Sequence, residues 1–288
     1  MKKVFRAVLA LAAFFVLGSS LSANAEELLV TSHGNNRVLR FEWPSGRFID
    51  VFASGGGELG SQGITFGPDG NLYVGGEYSH NVVRYDGQTG AFIDVFIHAH
   101  CGGLDTPGGV IFGPDGNLYV SSHYTADVLR YNGQTGEFID AFATTHLSGP
   151  TGLTFGPDGN LYVSCWNCQT VARFDGRTGA WISDFALLEK YSYPQALAFG
   201  PDGNLYVNSY AHNQVLRYDG STGQPLGVFA SHPALNGATG LAFAPDGNLY
   251  VSSRYTNLVL QFDGQTGEFI DATGGGGLNE PYHLTFTP

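Results

Sequence analysis

The sequence predicts an all-β chain folded as a six-bladed β-propeller of four-stranded antiparallel blades, closed by the C-terminal strand joining the N-terminal blade. Three observations lead there. The string Phe-Gly-Pro-Asp-Gly-Asn-Leu-Tyr-Val begins at Phe66, Phe112, Phe155 and Phe199, and once more at Phe243 with Ala244 in place of glycine. Successive copies start 46, 43, 44 and 44 residues apart, a period that holds several short strands and suits a propeller blade. The two ends complement each other: Leu284-Thr285-Phe286 opens a copy that stops at Pro288, and Leu28-Leu29-Val30 followed by Val38-Leu39-Arg40-Phe41 supplies the missing half.

Each period carries four strand-like runs, seen in the second copy at 63–66, 71–75, 82–85 and 91–96. Pro68-Asp69-Gly70 separates the first two, and Asp86-Gly87-Gln88-Thr89-Gly90 the last two. Both place Asp or Gly where a tight hairpin needs a residue tolerant of positive φ. The final run, Tyr282 to Phe286, is expected innermost in the sheet begun at the N-terminus, so that no long edge is left to pair with other chains. No helix is expected beyond the first segment.

Residues 1–25 read as an export signal. Lys2, Lys3 and Arg6 precede an apolar run from Ala7 to Leu17, and Ala23-Asn24-Ala25 is the small-x-small pattern at which signal peptidase cuts. The run is too short to span a membrane, so no transmembrane anchor is expected. Cleavage after Ala25 leaves a propeller of residues 26–288, about 44 per blade, in the periplasm or secreted. The net charge is −12, and the signal takes three positive charges with it, so nucleic acid is repelled and excluded as a partner. The carboxylates lie mostly in Asp-Gly turns, and no Asp-x-Asp-x-Asp-Gly calcium loop occurs. A monomer is expected.

Positions that change between otherwise uniform copies are free for a purpose beyond the fold. The third residue after each Leu-Tyr-Val, or Leu-Leu-Val in the first copy, is His33, Glu77, His123, Trp166, Tyr210 and Arg254 in turn. The residue opening each innermost strand is Gly63, Gly109, Gly152, Ala196 and Gly240, and then His283. Strand parity puts all of these on one face of the ring, together with all nine histidines. His33, Glu77, His123 and His283 belong to adjacent blades, and three imidazoles with a carboxylate suit a divalent metal ion such as zinc, magnesium or calcium. Trp166, Tyr210 and Arg254 fill the other half of the rim as a ligand-contact surface. Packing beneath the loops would use the same residues.

The three cysteines fall on this face too. An exported chain favours oxidation, which leaves either a Cys165–Cys168 bridge with Cys101 free or one long bridge from Cys101 to that pair. Cys165-Trp166-Asn167-Cys168 has the spacing of a redox motif, but no helix is expected there to lower a thiol pKa.

The repeat Gly-Pro-Asp-Gly-Asn-Leu-Tyr-Val, followed by Asn-x-Val-Leu-Arg-Tyr-Asp, resembles the NHL-repeat and TolB-like propellers and their relatives, the streptogramin lyases, gluconolactonase-like hydrolases and peptide-amidating lyases. In streptogramin lyases one blade carries a Pro-His opening, a Glu fourteen residues later and a His three further on, around a magnesium ion. Glu77 and His80 match the second and third positions, but the first is Gly63; the corresponding histidine, His283, lies one blade away after Pro281-Tyr282. The resemblance thus implies His283, Glu77 and His80 as a catalytic set in which a histidine removes a proton beside a metal-polarised carbonyl. Three functions follow. The first is an exported propeller presenting a His-rich funnel to a small-molecule or peptide ligand. The second is a divalent-metal-dependent lyase or lactone hydrolase. The third is an adhesion or assembly module that binds another exported protein.

Overall fold

The computed structural model describes residues 26–288; the export signal expected at 1–25 lies outside the described residues. Six sheets of four antiparallel strands follow one another around a ring. The first blade holds β1 (Glu27–Ser32), β2 (Arg37–Glu42) and β3 (Phe48–Ser54); the second β4 (Ser61–Phe66), β5 (Leu72–Gly76), β6 (Asn81–Tyr85) and β7 (Phe92–Ile97). In the third are β8 (Pro107–Phe112), β9 (Leu118–Ser122), β10 (Asp127–Tyr131) and β11 (Phe138–Ala143), and in the fourth β12 (Pro150–Phe155), β13 (Leu161–Cys165), β14 (Thr170–Phe174) and β15 (Trp181–Leu187). The fifth comprises β16 (Pro194–Phe199), β17 (Leu205–Ser209), β18 (Gln214–Tyr218) and β19 (Pro225–Ser231); the sixth β20 (Ala238–Phe243), β21 (Leu249–Ser253), β22 (Leu258–Phe262) and β23 (Phe269–Gly274). The last strand, β24 (Pro281–Phe286), pairs with β1 through Leu28↔Phe286, Leu29↔Thr285 and Val30↔Leu284, which closes the ring as the split repeat requires. Two short 3-10 turns, His33–Asn35 and Cys101–Gly103, are the only helical segments among the described residues.

The repeated string is explained by packing. In Leu-Tyr-Val the leucine, tyrosine and valine are all buried, and the tyrosine ring enters the seam between blades. Tyr73 meets Phe96 and Phe112 edge-on, each with centroids 4.9 Å away, and such contacts add about 0.5–1.5 kcal/mol each beyond area burial. Its hydroxyl donates to Asp69 at 3.0 Å, so the turn aspartate satisfies the one polar atom the seam would otherwise strand. Tyr119–Asp115, Tyr162–Asp158 and Tyr206–Asp202 repeat the arrangement. The glycine after that aspartate holds a positive φ, +78° at Gly70, which explains why no other residue type stands there. Toward the rim, Arg40, Arg84 and Arg130 each grip an aspartate of the outer strand, Asp50, Asp94 and Asp140, with two hydrogen bonds.

A further regularity is not visible in the residues. In every blade the pairing of the innermost strand shifts register at its start: between Ser61 and Ile64, Pro107 and Val110, Pro150 and Leu153, Pro194 and Leu197, and Ala238 and Leu241, and likewise where β24 meets β1. A bulge of this kind re-aims side chains. Here it separates two consecutive residues into two layers. Gln62, Gly108, Thr151, Gln195 and Tyr282 face one mouth of the ring, whereas Gly63, Gly109, Gly152, Ala196 and His283 line a narrow channel beneath it. The small residues of that inner layer answer to crowding: a Cβ on Gly63 would stand 2.5 Å from the Gly108 carbonyl oxygen, and one on Gly152 2.6 Å from that of Gln195.

Candidate functional site

The mouth above this channel is a bowl of about 260 Å³ lined by Gln62, Glu77, Thr106, Gly108, His123, Tyr124, Thr151, Trp166, Gln195, Tyr210, Arg254 and Tyr282. Its geometry is set by one backbone device used six times. The residue three beyond each Leu-Tyr-Val or Leu-Leu-Val donates its N–H to the carbonyl that ends the connection into the neighbouring innermost strand: His33 to Glu280, Glu77 to Gly60, His123 to Thr106, Trp166 to Gly149, Tyr210 to Tyr193 and Arg254 to Gly237. The bonds run from 2.9 to 3.4 Å, so each variable side chain projects from a tethered turn.

On the polar side, Glu77 Oε2 accepts hydrogen bonds from His33 Nε2 at 2.6 Å and from Gln62 Nε2 at 2.8 Å. No protein donor reaches Oε1 among the described residues. His33 itself is 5 % exposed, wedged between the rings of Tyr78 and Tyr282 at 5.3 and 5.0 Å, and forms the support beneath the bowl instead of its surface. Burial pulls the His123 imidazole below its ordinary pKa. Arg254 gives Nε and Nη2 to Glu280 Oε2 and Nη1 to the Tyr282 hydroxyl, and its guanidinium lies 5.2 Å above the Tyr282 ring. The hydrogen bond from Arg254 holds the Glu280 carboxylate below the usual range.

The opposite side is aromatic. Trp166 stacks on Tyr193 at 4.8 Å and leans on Tyr210 at 5.2 Å, and the Tyr210 and Tyr255 hydroxyls meet at 2.5 Å. Desolvation pushes the Tyr210 hydroxyl up to about 12. Trp166 sits within a four-residue turn whose ends, Cys165 and Cys168, are joined by a disulfide; Cys101 is free.

Of the residues singled out in the sequence, Glu77, His123, Trp166, Tyr210 and Arg254 share this bowl, and His33 lies directly under it. His283 does not join them. The bulge at the start of β24 turns Tyr282 to the bowl and His283 into the channel, a cavity of about 110 Å³, where desolvation pushes its imidazole down to about 4. His80 also stands apart. Its Nδ1 accepts the Thr106 amide at 3.0 Å, and its ring stacks on His100 at 4.5 Å. The set His283, Glu77 and His80 is thus divided among three surroundings. The four residues expected to hold a metal are not gathered either, and among the described residues no three or more His, Cys, Asp or Glu side chains are grouped to bind one. Other histidines are spent on packing between blades: His146 stacks on Trp181 at 4.0 Å and His232 on Phe269 at 3.9 Å. Sequence reading missed Gln62, Thr106, Tyr124, Thr151, Gln195 and Tyr282. For Gln62, Thr151, Gln195 and Tyr282 the place just before an inner-ring position was the available signal, hidden by the unseen bulge; Thr106 and Tyr124 carry no such mark.

Residues 47–271 match the model of the virginiamycin B lyase family. The chain belongs to that family. No curated protein matches it. Among solved structures, a streptogramin B lyase is similar at 19 % identity and TM-score 0.62, over 81 % of this chain and 74 % of that one. A catalytically inactive virginiamycin B lyase from Staphylococcus aureus, with quinupristin, has 18 % identity and TM-score 0.61 over 79 % of this chain and 77 % of that one. A chain of a nidogen/laminin complex reaches TM-score 0.76 at 17 % identity, over 91 % of this chain and 98 % of its own. Identities this low establish the shared propeller and leave activity to the site.

Proposed function

We propose that this member of the virginiamycin B lyase family is an exported propeller that binds a small amphiphilic molecule or short peptide in the bowl. One observation carries the reading: five of the six side chains that break an otherwise uniform repeat line a single cavity, polar on one wall and aromatic on the other. The apolar body of a ligand would lie on Trp166 and Tyr210, and its polar groups would meet Glu77, Gln62, His123 and Gln195. The volume is near the lower bound of small-ligand pockets, roughly 300 Å³, which favours a fragment of a larger molecule or a compact one. A thermal-shift screen of amide, peptide and amine libraries tests this. Hits that stabilise the wild type and fail with Trp166→Ala and Glu77→Gln support it, and hits indifferent to both variants refute it.

Family membership favours a second reading, metal-assisted opening of a cyclic ester or peptide. The donors fit a metal poorly: Glu77 and His123 share the bowl, but His33 Nε2 is committed to Glu77, His80 Nδ1 to a backbone amide, and His283 to the layer below. Metal analysis of the purified protein, with chromatography of virginiamycin B incubated with and without magnesium, separates the readings: turnover lost on Glu77→Gln replaces binding by catalysis.

A further inference from the structure

We infer that the bowl selects a cationic ligand, an organic ammonium ion carrying an apolar body. The inference rests on the binding reading above and names the chemical class that the site takes. It starts from an imbalance between the two charged groups of the bowl wall, Glu77 and Arg254.

Arg254 is already answered. Nε and Nη2 donate to Glu280 at 3.2 and 2.7 Å, Nη1 donates to the Tyr282 hydroxyl at 3.2 Å, and the guanidinium carbon lies 5.2 Å from the Tyr282 ring centroid. Its charge is matched by a carboxylate that a ligand anion would have to displace. Glu77 is answered on one oxygen only. His33 and Gln62 both donate to Oε2, which fixes the carboxylate's orientation and leaves Oε1 accessible to whatever enters the bowl. Held in this way, the carboxylate loses little side-chain freedom when it meets a ligand, so an ion pair there is not offset by ordering cost. The imidazole that answers it from below, His33, is screened from the bowl by Tyr78 and Tyr282.

The aromatic wall points the same way. Trp166, Tyr210, Tyr124 and Tyr282 present π-faces or edges around the bowl, and stacking on Tyr193 fixes the Trp166 plane. A carboxylate with a free oxygen facing a group of aromatic rings is the arrangement that recognises alkylated ammonium ions, each cation–π contact contributing about 0.5–2 kcal/mol. A small anion is repelled by the carboxylate, and an uncharged amide can donate a hydrogen bond to it but gains neither the ion pair nor the cation–π contact. The net charge of −12 adds a long-range field that draws cations toward the mouth and fades as salt is added.

The test compares two molecules of nearly the same shape, choline and uncharged 3,3-dimethylbutan-1-ol, by calorimetry and ligand-observed NMR on chelator-treated mature protein at low ionic strength. Choline binding at least ten-fold tighter, weakening as sodium chloride is raised, with the preference cut several-fold by Glu77→Gln, is the expected result. Trp166→Ala should weaken both ligands while keeping their order. Equal affinities in the wild type overturn the inference without any variant, as does a choline preference left undiminished by Glu77→Gln in a folded protein. If neither probe binds while neutral amides from the library do, the cation inference falls and the bowl remains a ligand site. If nothing binds in the bowl, both fall.

Discussion

Cys165 and Cys168 are bonded at the two turn positions where other blades use a hydrogen bond. Thr125 Oγ1 donates to Ser122 Oγ at 2.7 Å in the third blade, and Thr256 Oγ1 to Ser253 Oγ at 2.6 Å in the sixth. The fourth blade thus carries a covalent version of a clamp that the repeat already contains, placed around Trp166, the largest side chain in the bowl.

Exchanging that clamp for its hydrogen-bonded form should be nearly silent in binding. Cys165→Ala with Cys168→Ala should lose about 2 kcal/mol, the chain-entropy value for so short a loop, and loosen Trp166. Cys165→Ser with Cys168→Thr should regain about 1 kcal/mol of that through the restored hydrogen bond. Chemical denaturation and acrylamide quenching of Trp166, in a Trp43→Phe, Trp181→Phe background, measure both effects. Equal quenching in the two double variants would show that the clamp does not position the indole.

The ring closure makes the C-terminus a stability element. Deleting residues 282–288 removes Tyr282 and Leu284 from the core and strips β1 of its inner partner. A loss of about 5 kcal/mol or more is expected, given the buried groups uncovered, and a fall in Tm of roughly 10 °C or more follows for a domain of this size. Calorimetry of the truncated chain decides it, and an unchanged Tm contradicts closure by β24.

Two desolvated groups should pull the pH–stability profile in opposite directions. His283 has its folded pKa pushed down from the ordinary 6.5 to about 4 by desolvation, so the stability linked to its neutral form is present above pH 6.5 and is lost as pH falls toward 4. His283→Gln, which cannot take up a proton, should flatten that part of the acid limb in urea titrations run from pH 7 to 4. A limb unchanged by the substitution would place the titration elsewhere.

Glu58, 2 % exposed beside the Tyr85 hydroxyl, has its pKa raised by desolvation above the ordinary 4.5. Its neutral form is the one the fold prefers. Stability linked to it is full below pH 4.5 and declines as pH rises through the raised value. Glu58→Gln should therefore be more stable than the wild type at pH 7 and close to it at pH 4, measured by the same titrations. A variant less stable than the wild type at pH 7 would mean that the ionised carboxylate has a partner in the fold.

The repeat made the blades, their turns and the closure legible, because Leu-Tyr-Val and Pro-Asp-Gly fill the same interblade seam in four blades, where the turn aspartate takes the tyrosine hydroxyl. The bowl was half legible. Glu77, His123, Trp166, Tyr210 and Arg254 could be read as variable positions on one face, since each hangs from a turn of fixed length. His283 could not be placed, because the bulge that sends it into the channel is a backbone event with no residue signature, and the same bulge brought Gln62, Gln195 and Tyr282 into the bowl unannounced. His80, His146 and His232 misled for a different reason: a histidine stacked on a neighbouring ring looks, in sequence, the same as one that faces a ligand.

Ligands are proposed to enter the bowl above the channel. Crystals of residues 26–288 soaked with a mixture of small amines, amides and aromatic fragments test this most directly. Density is expected between Glu77, Trp166 and Tyr210, in contact with Gln62 or Tyr282. An empty bowl, with fragments bound instead among the Pro-Asp-Gly turns of the opposite face, would contradict it.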